Sequence, residues 1–170
     1  MSIPEKNEYG EWFAGYVSLV PEKDILAALT SQIEEFQQLA ASILEEKGAF
    51  SYADGKWTIK ELLGHLNDGE RIFAYRALRI ARGDQTPLSG FEQDDYIAAG
   101  RFNSRTLADL IEEFVLLRRS NIKLFENLED AAWLLMGTAS GNPISVRAVA
   151  YIMAGHVRHH LNILRDRYLA

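Results

Sequence analysis

The chain has 170 residues, 48% of them hydrophobic and 25% charged, the make-up of one globular domain with enough apolar side chains for a core. A formal net charge of -6 argues against binding nucleic acid by neutralising phosphates. The absence of cysteine removes disulfides, thiolate metal ligands and any cysteine nucleophile, and suits a reducing compartment.

Met1 to Glu8 lack the basic head and apolar run of a secretory leader, and no apolar stretch is long enough to span a bilayer, so no membrane partner and a cytoplasmic location are expected. Residues 1–20 carry Tyr9, Trp12, Phe13 and Tyr16 among polar neighbours and glycines, the pattern of an irregular arm whose aromatics pack on the body of a single domain spanning 1–170. Pro21, Glu22 and Asp24 suit the first turn of a helix. Ile25, Leu26, Leu29, Ile33, Phe36, Leu39, Ile43 and Leu44 then recur at three- and four-residue steps with Glu34, Glu35, Gln37 and Gln38 between them, and Gly48 supplies a stop.

Trp57 stands before Thr58 as a hydrophobic staple, and Thr58 with Glu61 forms a capping-box signature. A second helix follows, past His65, Ile72, Phe73 and Leu78 to about Arg82, where Gly83 ends it. Asp84 to Asn103 is too long for a tight turn and reads as a crossover or a rim over a site, with room for a short helix around Asp94 to Ala99. The third helix starts near Ser104 or Thr106 and shows an apolar face from Leu107 to Leu128. Met136 to Pro143 is rich in breakers, with no strand-like alternation, and Ser145 caps a fourth helix whose inner stripe runs through Val149, Ile152, His156, His160 and Ile163. The expected fold is all-α, a four-helix bundle with a long crossover loop between helices 2 and 3.

Of the chain's four histidines, three lie in the run Gly155-His156-Val157-Arg158-His159-His160 and the fourth is His65. On a helix, His156 and His160 are one turn apart on the same face, a spacing that suits two ligands of one metal ion. His65 shares the core-facing side of its helix with Leu62, Gly69 and Ile72, so three imidazoles point inward from two helices. Rings buried there without partners would each cost roughly a few kcal/mol. Either a shared divalent cation or a hydrogen-bonded histidine cluster would remove that penalty. His159 falls one step round the helix, toward solvent or in support of a ligand, and an exchange of roles between His159 and His160 is the alternative assignment.

The run Trp57-Thr58-x-x-Glu61-x-x-x-His65-x-x-Asp68-x-Glu70, with Gly155-His156-x-x-His159-His160 near the end, resembles the DinB-like family of bacterial metal-binding four-helix bundles. Arg79 to Gly83, Phe91 to Asp94 and Ser145 to Arg147 extend that resemblance over nearly the whole chain. It implies a divalent metal, zinc or nickel, held by His65, His156 and His160, and a homodimer. It also implies kinship with transferases and isomerases that use a low-molecular-weight thiol such as bacillithiol, mycothiol or glutathione.

A cation held by three neutral imidazoles can activate water or a thiol as a nucleophile. Val157 follows His156 where a zincin protease has glutamate, which disfavours that chemistry. Asp68, one turn beyond His65, is the candidate catalytic residue, placed to orient an imidazole or take a proton. Glu70 points elsewhere and is expected to pair with an arginine. Arg71, Arg76, Arg79, Arg82, Arg158 and Arg165 either pair with acids such as Glu34, Glu35, Glu112 and Glu113 or hold a carboxylate of a ligand. The expected function is therefore a metal-dependent enzyme that activates a thiol or water toward a small-molecule substrate, a transferase or hydrolase. The resemblance implies the sharper form, a low-molecular-weight thiol S-transferase. A non-catalytic metal-binding stress or interaction protein is the alternative.

Overall fold

Capping and periodicity place the helices. In the computed structural model, which describes residues 2–170, the expected arm is mostly ordered into turns; Met1 lies outside the described residues. Short 3-10 turns at Lys6–Glu8 and Glu11–Phe13 lead into α1 (Ala14–Ser18), and Tyr9, Phe13 and Val17 are buried. Helix α2 (Ile25–Ala41) begins one turn later than Pro21 suggests, because the Asp24 side chain caps it by accepting from the Ala27 N–H. It also ends before Gly48: the chain breaks at Ser42 and makes a separate 3-10 turn at Glu45–Lys47.

The Thr58–Glu61 capping box opens α3 (Ile59–Ala81), and Gly83 follows it in the left-handed region at φ +78°. Next come α4 (Gln93–Gly100) and α5 (Leu107–Glu126), the latter capped by Thr106. The breaker-rich linker is not a coil. It forms a hairpin of β1 (Met136–Ala139) and β2 (Asn142–Ser145), antiparallel from Met136 opposite Ser145 to Ala139 opposite Asn142. Ser140 and Gly141 turn it with φ of 52° and 75°, the paired left-handed geometry that matches strand twist. Four-residue strands are too short to show alternation, so the expectation of no strand fails here. Ser145 then caps α6 (Val146–Ile163), which runs into a wider π turn at Leu164–Tyr168.

Helices α2, α3, α5 and α6 form the bundle; α3 packs on both α5 and α6, and α2 packs on both from the other side. Asn67 reaches Leu110 while Glu70 meets Arg118 and Asn121, so α3 and α5 lie side by side and run the same way. The segment between them returns along the bundle to the start of α3, where Phe102 lies against Gly64 and Asn103 bonds to Thr58 and Glu61. It carries α4 where the sequence allows a short helix, at Asp94 to Ala99, and Leu88 is tied to the hairpin by bonds with Thr138 of β1 and Ser140 of the turn.

The core divides into two apolar halves. One holds Phe13, Leu29, Phe73, Phe125 and Tyr151; the other holds Phe36, Leu62, Phe114, Val157 and Leu161. Between them lies a polar layer to which every long helix contributes. Arg118, fully buried on α5, makes a two-pronged ion pair with Glu70 on α3, at 2.9 Å from Nε and 2.7 Å from Nη2. Its Nη1 donates to Gln32 Oε1 of α2 at 2.8 Å, and Gln32 Nε2 donates to the Ala154 carbonyl of α6 at 2.8 Å. Asn121 Nδ2 completes the shell of Glu70 at 3.0 Å.

Removing one partner of such a buried pair strands the other charge. Arg118→Met should lower the free energy of unfolding in urea by ~3–5 kcal/mol, and adding Glu70→Gln should recover part of the loss. An Arg118→Met protein as stable as the parent would show that the layer is dispensable.

Candidate metal centre

Helix α6 carries His156, His159 and His160, and α3 carries His65. Gly155 gives α6 a bare spot on which α1 rests: a Cβ there would stand 2.0 Å from the Tyr16 carbonyl oxygen. That close approach places the Tyr16 ring edge-on to His156, centroids 5.5 Å apart. On α3, Gly69 faces the same imidazole, and a Cβ there would come within 3.0 Å of His156 Cε1. Phe73 meets His156 from below at 5.5 Å. His156 is therefore held by packing on three sides.

His65, His156 and His160 are all buried and converge. Their ring centroids lie 4.6–4.9 Å apart, and one nitrogen from each falls within 4.8 Å of the other two. The Nε2 atoms of His65 and His156 face each other at 2.9 Å. Among the described residues this is the group of three or more histidine or carboxylate side chains arranged to share an ion. His160 Nδ1 is one of two buried polar side-chain atoms there without a hydrogen-bond partner. His159 sits apart, half-buried, with its ring against Tyr16 at 5.3 Å.

A cavity of about 370 Å³ opens beside the group, lined by His160, His159, Tyr16, Trp57, Asp94 and Tyr168 among others. Trp57 is more than the staple its position suggested. Its ring lies 4.8 Å from that of His65, its Nε1 donates to Asp94 Oδ1 at 3.1 Å, and its carbonyl accepts from Tyr168 Oη at 2.7 Å. Sequence spacing offered no signal for Tyr16 or Asp94 at this place, because both arrive on separate short helices.

Burial dominates the electrostatics. It pulls His65 down to about 4 against an opposing push from Asp94. His156 and His160 are held well below the usual imidazole range, first by burial and then by their histidine neighbours, with Arg118 adding to the effect on His156. All three rings are thus neutral near pH 7, with lone pairs available to a cation. The donor set fits a divalent ion: three neutral imidazoles, one buried nitrogen without a partner, and no carboxylate among the donors.

Asp68 does not join this group. It is half-buried beside Arg71, Arg105 and Glu113, makes no hydrogen bond to an imidazole among the described residues, and is raised chiefly by burial. Glu70 pairs with Arg118, which was not among the arginines singled out from the sequence. Of those that were, Arg71 pairs with Glu113 and Arg165 with Glu35, while Arg158 takes Glu22 and Arg79 takes Asp84.

A model of the DinB superfamily matches residues 28–164. No curated protein matches the sequence. Among solved structures, the fold is similar to YfiT from Bacillus subtilis, described as a probable metal-dependent hydrolase with an unusual four-helix bundle topology. The TM-score is 0.76 at 14% identity, over 86% of this chain and 90% of that one.

The lowered imidazoles fix a direction for stability against pH. Unfolded histidines take up protons near 6.5, whereas His65 resists until about 4, so metal-free protein keeps its stability above pH 6.5 and loses it as the pH falls. The loss should approach ~1.4 kcal/mol per pH unit for each ring that stays neutral. Urea titrations of metal-free protein between pH 7 and 5 measure this, and His65→Gln should flatten the slope by one ring's share. A pH-independent midpoint would mean the rings are not buried as described.

Proposed function

Because the chain belongs to the DinB superfamily, we propose that it is a metal-dependent enzyme in which His65, His156 and His160 hold one divalent cation beneath an opening for a small-molecule substrate. The observation that carries this reading is the convergence of three buried, neutral imidazoles, one of which, His160, has an unpartnered nitrogen and lines a cavity of about 370 Å³. An all-imidazole donor set suits zinc or nickel. When bound, such an ion supplies a Lewis acid that activates water or a thiol at neutral pH.

The surrounding residues have separable tasks. Tyr16 and Phe73 hold the His156 ring in its ligand orientation, and Trp57 does the same for His65. Trp57, Tyr16 and Tyr168 wall the opening with apolar surface and limit the water that reaches the imidazoles. Asp94 is the carboxylate on the lining, and its bond to Trp57 Nε1 fixes its orientation as a proton acceptor for a substrate or nucleophile. Asp68, which lies outside that lining, is left to its charged neighbours on α3 and α5. The likeness to YfiT supports hydrolysis with water as nucleophile. S-transfer from a low-molecular-weight thiol would use the same donors, and the test below separates the two.

Protein purified without a histidine tag should carry about one equivalent of divalent metal by elemental analysis, and His156→Ala should lose most of it. Nickel added to metal-free protein should quench the fluorescence of Trp57, and Trp57→Phe should remove that response. The loaded protein should turn over either an ester and amide panel or a thiol with monochlorobimane, and His156→Ala should abolish it. Equal metal content in parent and variant would overturn the site; bound metal with no turnover in either assay would overturn the enzyme.

A further inference from the structure

A second cleft of about 460 Å³ lies between α3 and the 86–91 segment, with α4 on its rim. Three arginines line it, Arg71, Arg76 and Arg79, and no acidic residue does. Arg71 and Arg79 are neutralised by Glu113 and Asp84. Arg76 is different. It is only 3% exposed and has no carboxylate partner among the described residues; both its hydrogen bonds leave from Nη2, to the Ser89 carbonyl at 3.1 Å and Ser140 Oγ at 3.0 Å.

A buried guanidinium without a counter-charge is unusual, since desolvation costs several kcal/mol that a carboxylate normally offsets. A purely structural clamp would also use the rest of the fork. Here Nε and Nη1 make no bond among the described residues, yet neither belongs to the sealed-off unpartnered atoms, so solvent still touches this edge where Arg76 lines the cleft. Burial alone lowers Arg76, with no acid acting on it. Around that edge the walls are apolar and aromatic: Ile72, Tyr75, Leu88, Phe91 and Tyr96. Phe91 and Tyr96 pack together at 5.0 Å across the rim, and Tyr75 and Tyr96 are half exposed.

We propose that this cleft is a binding site for a small organic anion, whose carboxylate or phosphate meets the free edge of Arg76 while its apolar or aromatic body lies against Tyr75, Phe91 and Tyr96. The free nitrogens Nε and Nη1 offer directed donors to two oxygens. The bonds to Ser89 and Ser140 hold the guanidinium in place before the ligand arrives, which lowers the ordering cost of binding. This site does not rest on the metal reading. Arg76 does lie over the Phe73 ring at 6.0 Å, and Phe73 is the side chain that braces His156, so an occupied cleft would touch the support of the histidine group.

The test uses metal-free full-length protein, so that coordination to an ion cannot contribute, with benzoate, phenyl phosphate and neutral benzamide as probes. Amide chemical shifts should report saturable binding of at least one anion at Ile72 to Arg79 and residues 86–91, with benzamide at least tenfold weaker. Arg76→Gln should weaken the anion at least tenfold and leave benzamide unchanged. Tyr96→Ala, at a half-exposed position outside the core, should weaken anion and benzamide alike and keeps the test valid should Arg76→Gln fail to fold. The stronger of the two anions names the class as carboxylate or phosphate. Unchanged anion binding in these variants, no saturable binding of either anion, or shifts confined to the histidines would overturn the proposal.

Discussion

One buried charge pair sets the register of the bundle. Arg118 and Glu70 meet in the middle of a core that is otherwise apolar, and two charges there are tolerable only when every donor and acceptor has a partner. The partners come from all sides: Gln32 from α2, Asn121 from α5, and through Gln32 the Ala154 carbonyl of α6. Apolar side chains pack acceptably in several neighbouring arrangements; this network closes in few. Sliding α3 or α5 by a turn would leave a buried guanidinium or carboxylate bare, and sliding α2 would take Gln32 away from Arg118.

The histidines inherit their positions from that register. Ala154, which closes the network, lies two residues before His156, and Glu70 lies five after His65. Locking these helices at the polar layer therefore locks the spacing of the imidazoles across the bundle. The remaining adjustment is made by small residues, since Gly155 admits α1 and Gly69 admits the His156 ring. Both allow close approach at the cost of backbone entropy, which the network and the apolar halves on either side must offset.

The same layer also separates kinds of charge. Arg118 is fully engaged by Glu70 and Gln32 and reaches His156 only as a field that disfavours the imidazolium. Burial does most to keep the rings neutral, as a cation needs, and the buried pair supports the donor set by geometry. Trp57 and Asp94 complete the opening from outside the bundle proper, one just before α3 and the other in the first turn of α4.

Local chemistry in the sequence was enough for a mostly helical bundle, the caps at Thr58 and Ser145, a third helix beginning near Ser104 or Thr106, and the shared face of His156 and His160. These follow from spacings of three and four residues and from single capping side chains, which act within one turn and need no knowledge of neighbours. The inward direction of His65 was legible for the same reason. The hairpin at 136–145, the break of α2 at Ser42, the pairing of Glu70 with Arg118, and the arrival of Tyr16 and Asp94 beside the imidazoles were settled only by tertiary structure. Each depends on which face of one element is buried against another far away in the chain. The free energy that decides it comes from burial and from satisfying polar groups across the core, and neither leaves a periodic trace in a single stretch of sequence.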